Sequence, residues 1–401
     1  MKIKEKNQGV ATILAFVLLP LSGFATDIYI PSLPTMATSL HVSGIAVQMT
    51  LTLFLISYGV CQLFIGSVLD SYGRYKIGLI SLLIFALASL VIATTHNIWL
   101  IYAMRVVHGF TVGATIVAKR AYFVDMFTGE KLKHYLTLFS IIWSTGPIVA
   151  PFIGGYLQTA FGWQSNFYML AGLAVVIAAL EFLFSGESLK QFAPFRLKRI
   201  TDVYSEMLGT ASFSLGIVML GLAYAMVMVY NMTGPFIIEH HLGLGPVTAG
   251  YCSLILGFAW MVGGFISKAT IKHPLQKKVV TNLGLQVLFA VLMLVGVQVV
   301  DNLWSMLFFA FAIHVCAGYT FNNYFTFCLS RFPQNAGIAS GLTGGINYVI
   351  VSALSYGIVY LFPARDARNL NYGYMILILL SVGVLAVLLK PSRKMYQSSV
   401  L

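Results

Sequence analysis

Apolar residues run in long unbroken stretches along this chain, and polar residues are confined to short intervals between them. No stretch alternates as a barrel strand does, and all are too long for one. A helix needs about 20 apolar residues to cross the hydrocarbon core of a bilayer. Twelve stretches reach that length: 9–31, 45–69, 76–94, 97–118, 134–160, 166–185, 207–233, 246–268, 276–300, 302–324, 334–361 and 371–390. The pattern predicts an all-α membrane protein with twelve transmembrane helices, here spans 1 to 12.

The polar intervals order those spans. When successive span ends are assigned to alternate sides, 21 of the 24 Lys and Arg fall on the amino-terminal side. Arg365 and Arg368 fall opposite, and Arg105 lies inside span 4. Short loops retain positive charge in the cytoplasm, so both termini are expected there, in a bacterial inner membrane. Adding or dropping one span would destroy the asymmetry. The leader MKIKEKNQGV resembles a signal peptide, but twelve consistent spans require it to stay as the start of an uncleaved span 1.

The longest such cytoplasmic interval, 186–206 (GESLKQFAPFRLKRITDVYSE), divides the chain into an amino-terminal bundle (1–185), a linker (186–206) and a carboxy-terminal bundle (207–401), each bundle with six spans. HNIWLIYAMRVVHGFTVGA at 96 aligns with DNLWSMLFFAFAIHVCAGY at 301, an offset of 205. Parallel six-span repeats about an axis along the membrane normal are a transporter architecture. At this offset Arg105 is matched by Ala310 and Asp27 by Met232, so the architecture omits both charges in its other half. An intramembrane charge costs roughly 2.5–3.5 kcal/mol on insertion scales, which suggests that the retained ones do work.

Composition adds exclusions. The chain is 59% hydrophobic and 9% charged, too little charge for a soluble surface of this length. Its net charge of +12 reports topology and calls for no nucleic-acid partner. The four cysteines lie within spans without metal-ligand spacing, and His240-His241 is a poor ligand pair, so no metal site is expected. There is no nucleotide-binding loop, no H-E-x-x-H and no nucleophile elbow, so neither ATP-driven transport by this chain alone nor intramembrane enzyme chemistry is expected.

Three segments carry the candidate chemistry. Loop 2–3 reads GSVLDSYGRYKIGL, with Gly66 permitting close helix approach, Asp70 at a helix end, and Gly73 and Arg74 in a basic turn. Span 4 contains RVVHGFTVGA, where Arg105 and His108 share a face while Gly109 and Gly113 make a smooth one. Span 5 contains WSTGPIVAPFIGGYL, in which Gly146, Ala150 and Gly154 line one face, Pro147 and Pro151 bend the helix, and Gly155 follows. Together with D-x-Y-x-P-S-L-P at Asp27–Pro34, these resemble the major facilitator superfamily, in its twelve-span drug:proton antiporter branch of the bicyclomycin-resistance type. The resemblance implies that Asp70 joins charge contacts latching the cytoplasmic side of the two halves. It also links Arg105 to proton transfer and associates span 5 with antiport. Leu19 stands where some members of the branch carry a glutamate.

A buried arginine must find an anion or carbonyls. Taking span 1 to leave the membrane near 31, Asp27 and Arg105 differ in depth by about 6 Å, and Asp27 is the expected partner. The alternative is that Asp27 bonds backbone where Pro31 and Pro34 interrupt the helix. Proton coupling is assigned to Asp27, Arg105 and His108. Glu181 is expected to snorkel to the interface. Candidate pocket residues are Tyr58, Trp143, Tyr230, Asn231, Trp260, His314, Tyr319, Asn322, Asn323 and Asn347, suited to flat amphipathic molecules. The expectation is a monomeric transporter in the lipid bilayer, exporting small molecules by proton antiport without a cofactor. Movement of a specific metabolite or siderophore in either direction, or a receptor role, remains as an alternative.

Overall fold

The structure, a computed structural model, describes residues 5–189, 191–192, 197–332 and 336–389. Lys2, Lys4, Lys190, Arg196, Lys390, Arg393 and Lys394, counted above toward the charge asymmetry, lie outside the described residues. Among the described residues twelve helices are long and apolar enough to span a membrane: Gln8–Ser39, Gly44–Tyr72, Arg74–Thr94, Ile98–Met126, Gly129–Phe161, Gln164–Phe184, Ala211–His241, Pro246–Ala269, Leu275–Val299, Leu303–Arg331, Gly337–Leu361 and Ala367–Leu389. All twelve expected spans are present. Several run beyond their apolar stretches, because a helix already nucleated continues until a cap or turn stops it. Span 2 stops at Gly73, whose φ of +97° suits glycine, and span 5 stops at Gly162, φ +81°. Lys119 and Arg120, placed above in a loop, therefore belong to span 4.

Helix packing repeats between the halves. Span 1 packs on 5, 2 on 4, and 3 on 4 and 6, while 7 packs on 11, 8 on 10, and 9 on 10 and 12. Two further pairings, 2 with 11 and 5 with 8, join the halves and are related by the same symmetry. The sequence repeat has a local cause. Asn97 caps span 4 by accepting from the amide of Trp99 (2.9 Å), and Asn302 caps span 10 by accepting from that of Ser305 (2.9 Å). Trp99 and Trp304 then stand exposed at the same level, as interfacial tryptophans do.

Small residues set the closest approaches. A Cβ on Gly109 would lie 2.5 Å from the Phe54 carbonyl, and one on Gly113 2.9 Å from the Cys61 sulfur, so the smooth face of span 4 receives span 2. On span 5, a Cβ at Gly146 would meet the Pro20 carbonyl at 2.6 Å, and one at Gly154 would overlap the Ile28 carbonyl. Gly155 faces across to Pro246 of span 8, whose carbonyl would lie 2.6 Å from such a Cβ. Gly66 behaves otherwise. A Cβ there meets nothing within 4 Å, so the expected close helix approach at Gly66 does not occur.

Span 1 corrects the expected depth of Asp27. Its helix does not end near residue 31 but continues to Ser39 in short pieces, Gln8–Val17, Leu21–Asp27, Ile30–Ser32 and Leu33–Ser39. Pro31 and Pro34 each sit in the first positions of a new turn, where a missing amide hydrogen costs nothing. Residues 25–34 are all buried, as are 228–238 of span 7. A helix buried on every face lies inside the protein, and these two segments close the molecule on the face opposite the basic loops. Toward the basic face the picture reverses. None of the described residues 129–145 of span 5 is buried. Leu132, Tyr135 and Phe139 pack on Tyr122, Phe123 and Phe127 of span 4 and its end. The rest of that half-helix is left uncovered, including where it borders the boundary between the halves, here called the crevice.

Within the linker, a helix Leu197–Gly209 lies across the boundary, its Tyr204 hydroxyl donating to the Leu63 carbonyl of span 2 (2.5 Å).

Candidate functional site

Asp27 ends the second helical piece of span 1 and is 1% exposed. Asn231 of span 7 donates to its Oδ1 at 3.4 Å, a long bond made across the two halves. The residues differ by 204 in number, one less than the offset of the Asn-Trp repeat. Asp27 thus meets the neighbour of Met232, the residue matched to it at the sequence offset. Gln48 of span 2 makes a second bond across the boundary, to the Met232 carbonyl at 2.7 Å.

Arg105 is fully buried and does not form the expected ion pair with Asp27. Its Nη1 donates to the Ala25 carbonyl (2.9 Å) and its Nε to the Thr50 carbonyl (3.3 Å), while the guanidinium lies 4.8 Å from the Tyr29 ring centroid and 4.4 Å from that of Phe54. The reason is direction and not depth. Nη1 reaches the Ala25 carbonyl, two residues further in than Asp27, while the Asp27 carboxylate faces Asn231 of the other half. The arm thus meets span 1 backbone, and carbonyls with two aromatic faces supply its compensation. Asp27 and Arg105 remain near enough to interact through space.

His108 is turned away from the crevice. Arg105 Nη1 approaches its Nδ1 (3.2 Å), and Ser89 Oγ lies 3.0 Å from its Nε2. A guanidinium can only donate, so Nδ1 must accept, and the ring proton sits on Nε2, donated to Ser89. Ser89 in turn donates to the Phe85 carbonyl (2.9 Å). The imidazole is held as a neutral acceptor that orients Arg105. Tyr29, anchored by its hydroxyl on Thr50 Oγ1 (2.8 Å), forms the other wall.

The aromatic candidates divide. Tyr58 stacks on Phe54 (5.9 Å) and meets Tyr348 of span 11 edge-on (4.8 Å). Tyr348 meets Tyr224 of span 7 (6.0 Å), Tyr224 meets Trp260 of span 8 (5.7 Å), and Trp260 meets Phe321 of span 10 (5.1 Å). This ring-to-ring arch crosses both halves and contains Tyr58 and Trp260 of the predicted pocket. Asn347, the neighbour of Tyr348, is buried. Tyr230 and His314 lie instead inside the carboxy-terminal bundle, ring centroids 5.7 Å apart, with His314 Nδ1 on the Ala310 carbonyl (2.7 Å). Tyr319 bonds Thr270 (3.0 Å), and Asn322 and Asn323 donate to the carbonyls of Gly318 and Tyr319 on their own helix (2.8 Å each). Trp143 is half-buried on span 5.

The basic-face charge cluster is also built differently from expectation. Arg74 pairs with Asp70 (2.8 Å) and with Asp125 at the end of span 4, and Ser188 donates to Asp125 (2.8 Å). Glu187 accepts from the amides of Arg74 and Tyr75 (3.1 Å each). These contacts tie loop 2–3 to span 4 and the start of the linker and reach no residue of the carboxy-terminal bundle, so Asp70 does not latch the two halves here. Glu181 does not snorkel. It is buried and paired with Lys119 at 2.6 Å, because span 4 continues past its apolar stretch and brings a lysine to meet it. Among the described residues no group of three or more His, Cys, Asp or Glu could hold a metal, and His241 is bonded to Asp301 (2.9 Å).

The Major Facilitator Superfamily family model matches residues 15–356. The chain is 28% identical over 370 residues to the bicyclomycin resistance protein homolog of Haemophilus influenzae, covering 86% of this chain and 88% of that one. It is 28% identical over 349 residues to multidrug resistance protein D of Escherichia coli, covering 86% and 87%. In fold it is similar to a mutant of the nucleoside transporter NupG, with a TM-score of 0.72 at 15% identity over 94% of this chain and 97% of that one. With twelve spans, repeated packing and this match, the chain is a multi-pass membrane transporter, not an enzyme, and belongs to the major facilitator superfamily.

Proposed function

We propose that this transporter exports amphipathic small molecules from the cytoplasm across a bacterial inner membrane in exchange for protons, with both termini cytoplasmic. The observation that carries this reading is Asp27, an acid buried where the two halves meet, facing the neutral amide of Asn231 with Arg105 held beside it on span 1 backbone. Burying an ionised carboxylate without a paired cation is costly, and a neutral carboxylic acid is much cheaper to bury. In the shape described, the far face is closed over Asp27. Opening that face parts Asp27 from Asn231 and wets the carboxylate, which takes a proton from outside. The protonated form favours return to the closed far face. Proton loss into the basic-face crevice, coupled to substrate entry, resets the cycle. Arg105 biases this equilibrium, and His108 holds Arg105 in place. The exporting direction draws support from the span 5 motif and from the bicyclomycin- and multidrug-resistance names of similar proteins.

The test is transport into energised inverted membrane vesicles of a panel of lipophilic cations, neutral antibiotics and organic anions, with and without a protonophore. Uncoupler-sensitive accumulation is expected for the wild type, and Asp27→Asn is expected to reduce it to background at unchanged membrane level. Normal coupled accumulation by that variant would refute the role of Asp27.

A further inference from the structure

Lys119 and Arg120 are consecutive on span 4 and so point about 100° apart. Lys119 turns into its own bundle, to Glu181. Arg120 turns the other way and donates through Nη1 to Ser340 Oγ of span 11 at 2.8 Å, across the boundary between the halves. Arg120 is nevertheless exposed. A side chain on a membrane helix that is exposed yet touches the opposite half faces the crevice, not lipid. Its partner there is a neutral hydroxyl, and no ion pair joins it to an acid among the described residues. Arg105 is fully buried and out of reach, whereas Arg120 offers a substrate in the crevice an exposed positive charge.

The aromatic arch from Tyr58 through Tyr348 and Tyr224 to Trp260 lies deeper in the same boundary, with Tyr58 in electrostatic range of Arg120. Arg120 is six residues from the basic-face end of span 4 at Met126, and Tyr58 is fourteen from that end of span 2 at Tyr72. The difference of eight residues is about 12 Å along a helix, the length of a two- or three-ring molecule with a polar end. Asp27, the acid that would repel an anion, is 1% exposed in this shape. From this arrangement we infer that the crevice selects aromatic organic anions. The carboxylate or sulfonate is taken by the planar fork of Arg120 and the rings by the half-buried members of the arch, Tyr348, Tyr224 and Trp260, with Tyr58 buried behind Tyr348. This names the substrate class of the exporter proposed above and rests on that reading for its transport, though not for its binding.

The experiment compares three probes of one shape, 2-naphthoate, the uncharged 2-naphthamide and the cationic 2-naphthylmethylammonium. Binding to the purified protein in nanodiscs is measured by calorimetry, and movement is measured in proteoliposomes under a proton gradient. The wild type is expected to bind naphthoate about tenfold more tightly than naphthamide. Arg120→Gln should erase that preference with naphthamide binding unchanged, Arg120→Lys should keep part of it, and Ser340→Ala should keep it whole. The inference is overturned if the wild type binds no naphthoate or shows no preference for it. It is equally overturned if Arg120→Gln and Ser340→Ala weaken all probes alike, which is the behaviour of a strut between the halves. Arg120-dependent binding without protonophore-sensitive movement would sustain the inference and overturn the export reading. Proton-driven movement without charge preference would do the reverse.

Discussion

At the scale of single residues, Asp27 and Arg105 are held by neighbours that carry no formal charge, whereas buried Glu181 has Lys119. Arg105 rests on two backbone carbonyls, an imidazole nitrogen and two ring faces, an arrangement that depends on a planar guanidinium. Arg105→Lys keeps the charge but cannot reach both carbonyls and both rings. It is expected to lower stability by about 1–3 kcal/mol, read as a drop in thermal unfolding midpoint in detergent. An unchanged midpoint would show that the carbonyl contacts contribute nothing. Ser89→Ala removes the acceptor that fixes the His108 proton on Nε2, and a smaller loss, about 1 kcal/mol, is expected by the same measurement. Arg105 and Asp27 stand out in the sequence because charge in an apolar run is rare. Asn231 was legible as a polar candidate but not as the partner of Asp27, since which faces of spans 1 and 7 meet depends on how the two bundles dock.

At the scale of helices, two glycines with similar sequence surroundings have opposite environments. Gly154 has the Ile28 carbonyl where a side chain would go, while Gly66 has open space. Gly154→Ala is expected to force spans 1 and 5 apart and to cost about 1–3 kcal/mol, as overpacking does. Gly66→Ala is expected to be neutral or to stabilise by up to about 1 kcal/mol, because alanine forms helix better and nothing obstructs it. Parallel unfolding curves of both variants decide the matter, and an equal loss at Gly66 would mean that another helix approaches there after all. The span count was readable from apolar run length and the doubling from the repeated Asn-x-Trp, while the capping role of those asparagines came from the structure. The continuation of span 1 past Pro31 and Pro34 was not readable, since proline breaks a helix in its interior but begins a new turn equally well.

At the scale of the whole molecule, the closed far face is held by a small set of contacts between the halves. Gln48 donates to the Met232 carbonyl beside the Asp27–Asn231 bond. Gln48→Ala removes a bond worth about 1 kcal/mol and should shift the balance about fivefold toward shapes open on the far face. Faster modification of a single cysteine placed at Asn231, by a membrane-impermeant reagent added on that side, is the expected readout. Unchanged labelling would assign the seal to packing of the buried segments 25–34 and 228–238 alone.

The amino-acid sequence alone determined that the chain spans a membrane twelve times, that it is a doubled six-helix unit, and that charges at 27 and 105 stand within apolar stretches. These follow from local quantities: run length against bilayer thickness, charge against the side of the membrane, and self-similarity at a fixed offset. Only the tertiary structure decided what each charge touches. Asp27 faces Asn231 and not Arg105, Asp70 braces its own half, Glu181 meets Lys119, and Arg120 points at Ser340 across the crevice. The physical reason is that a helix turns about 100° per residue, so a shift of one residue in how two helices pack reassigns every polar contact between them while leaving the apolar pattern unchanged.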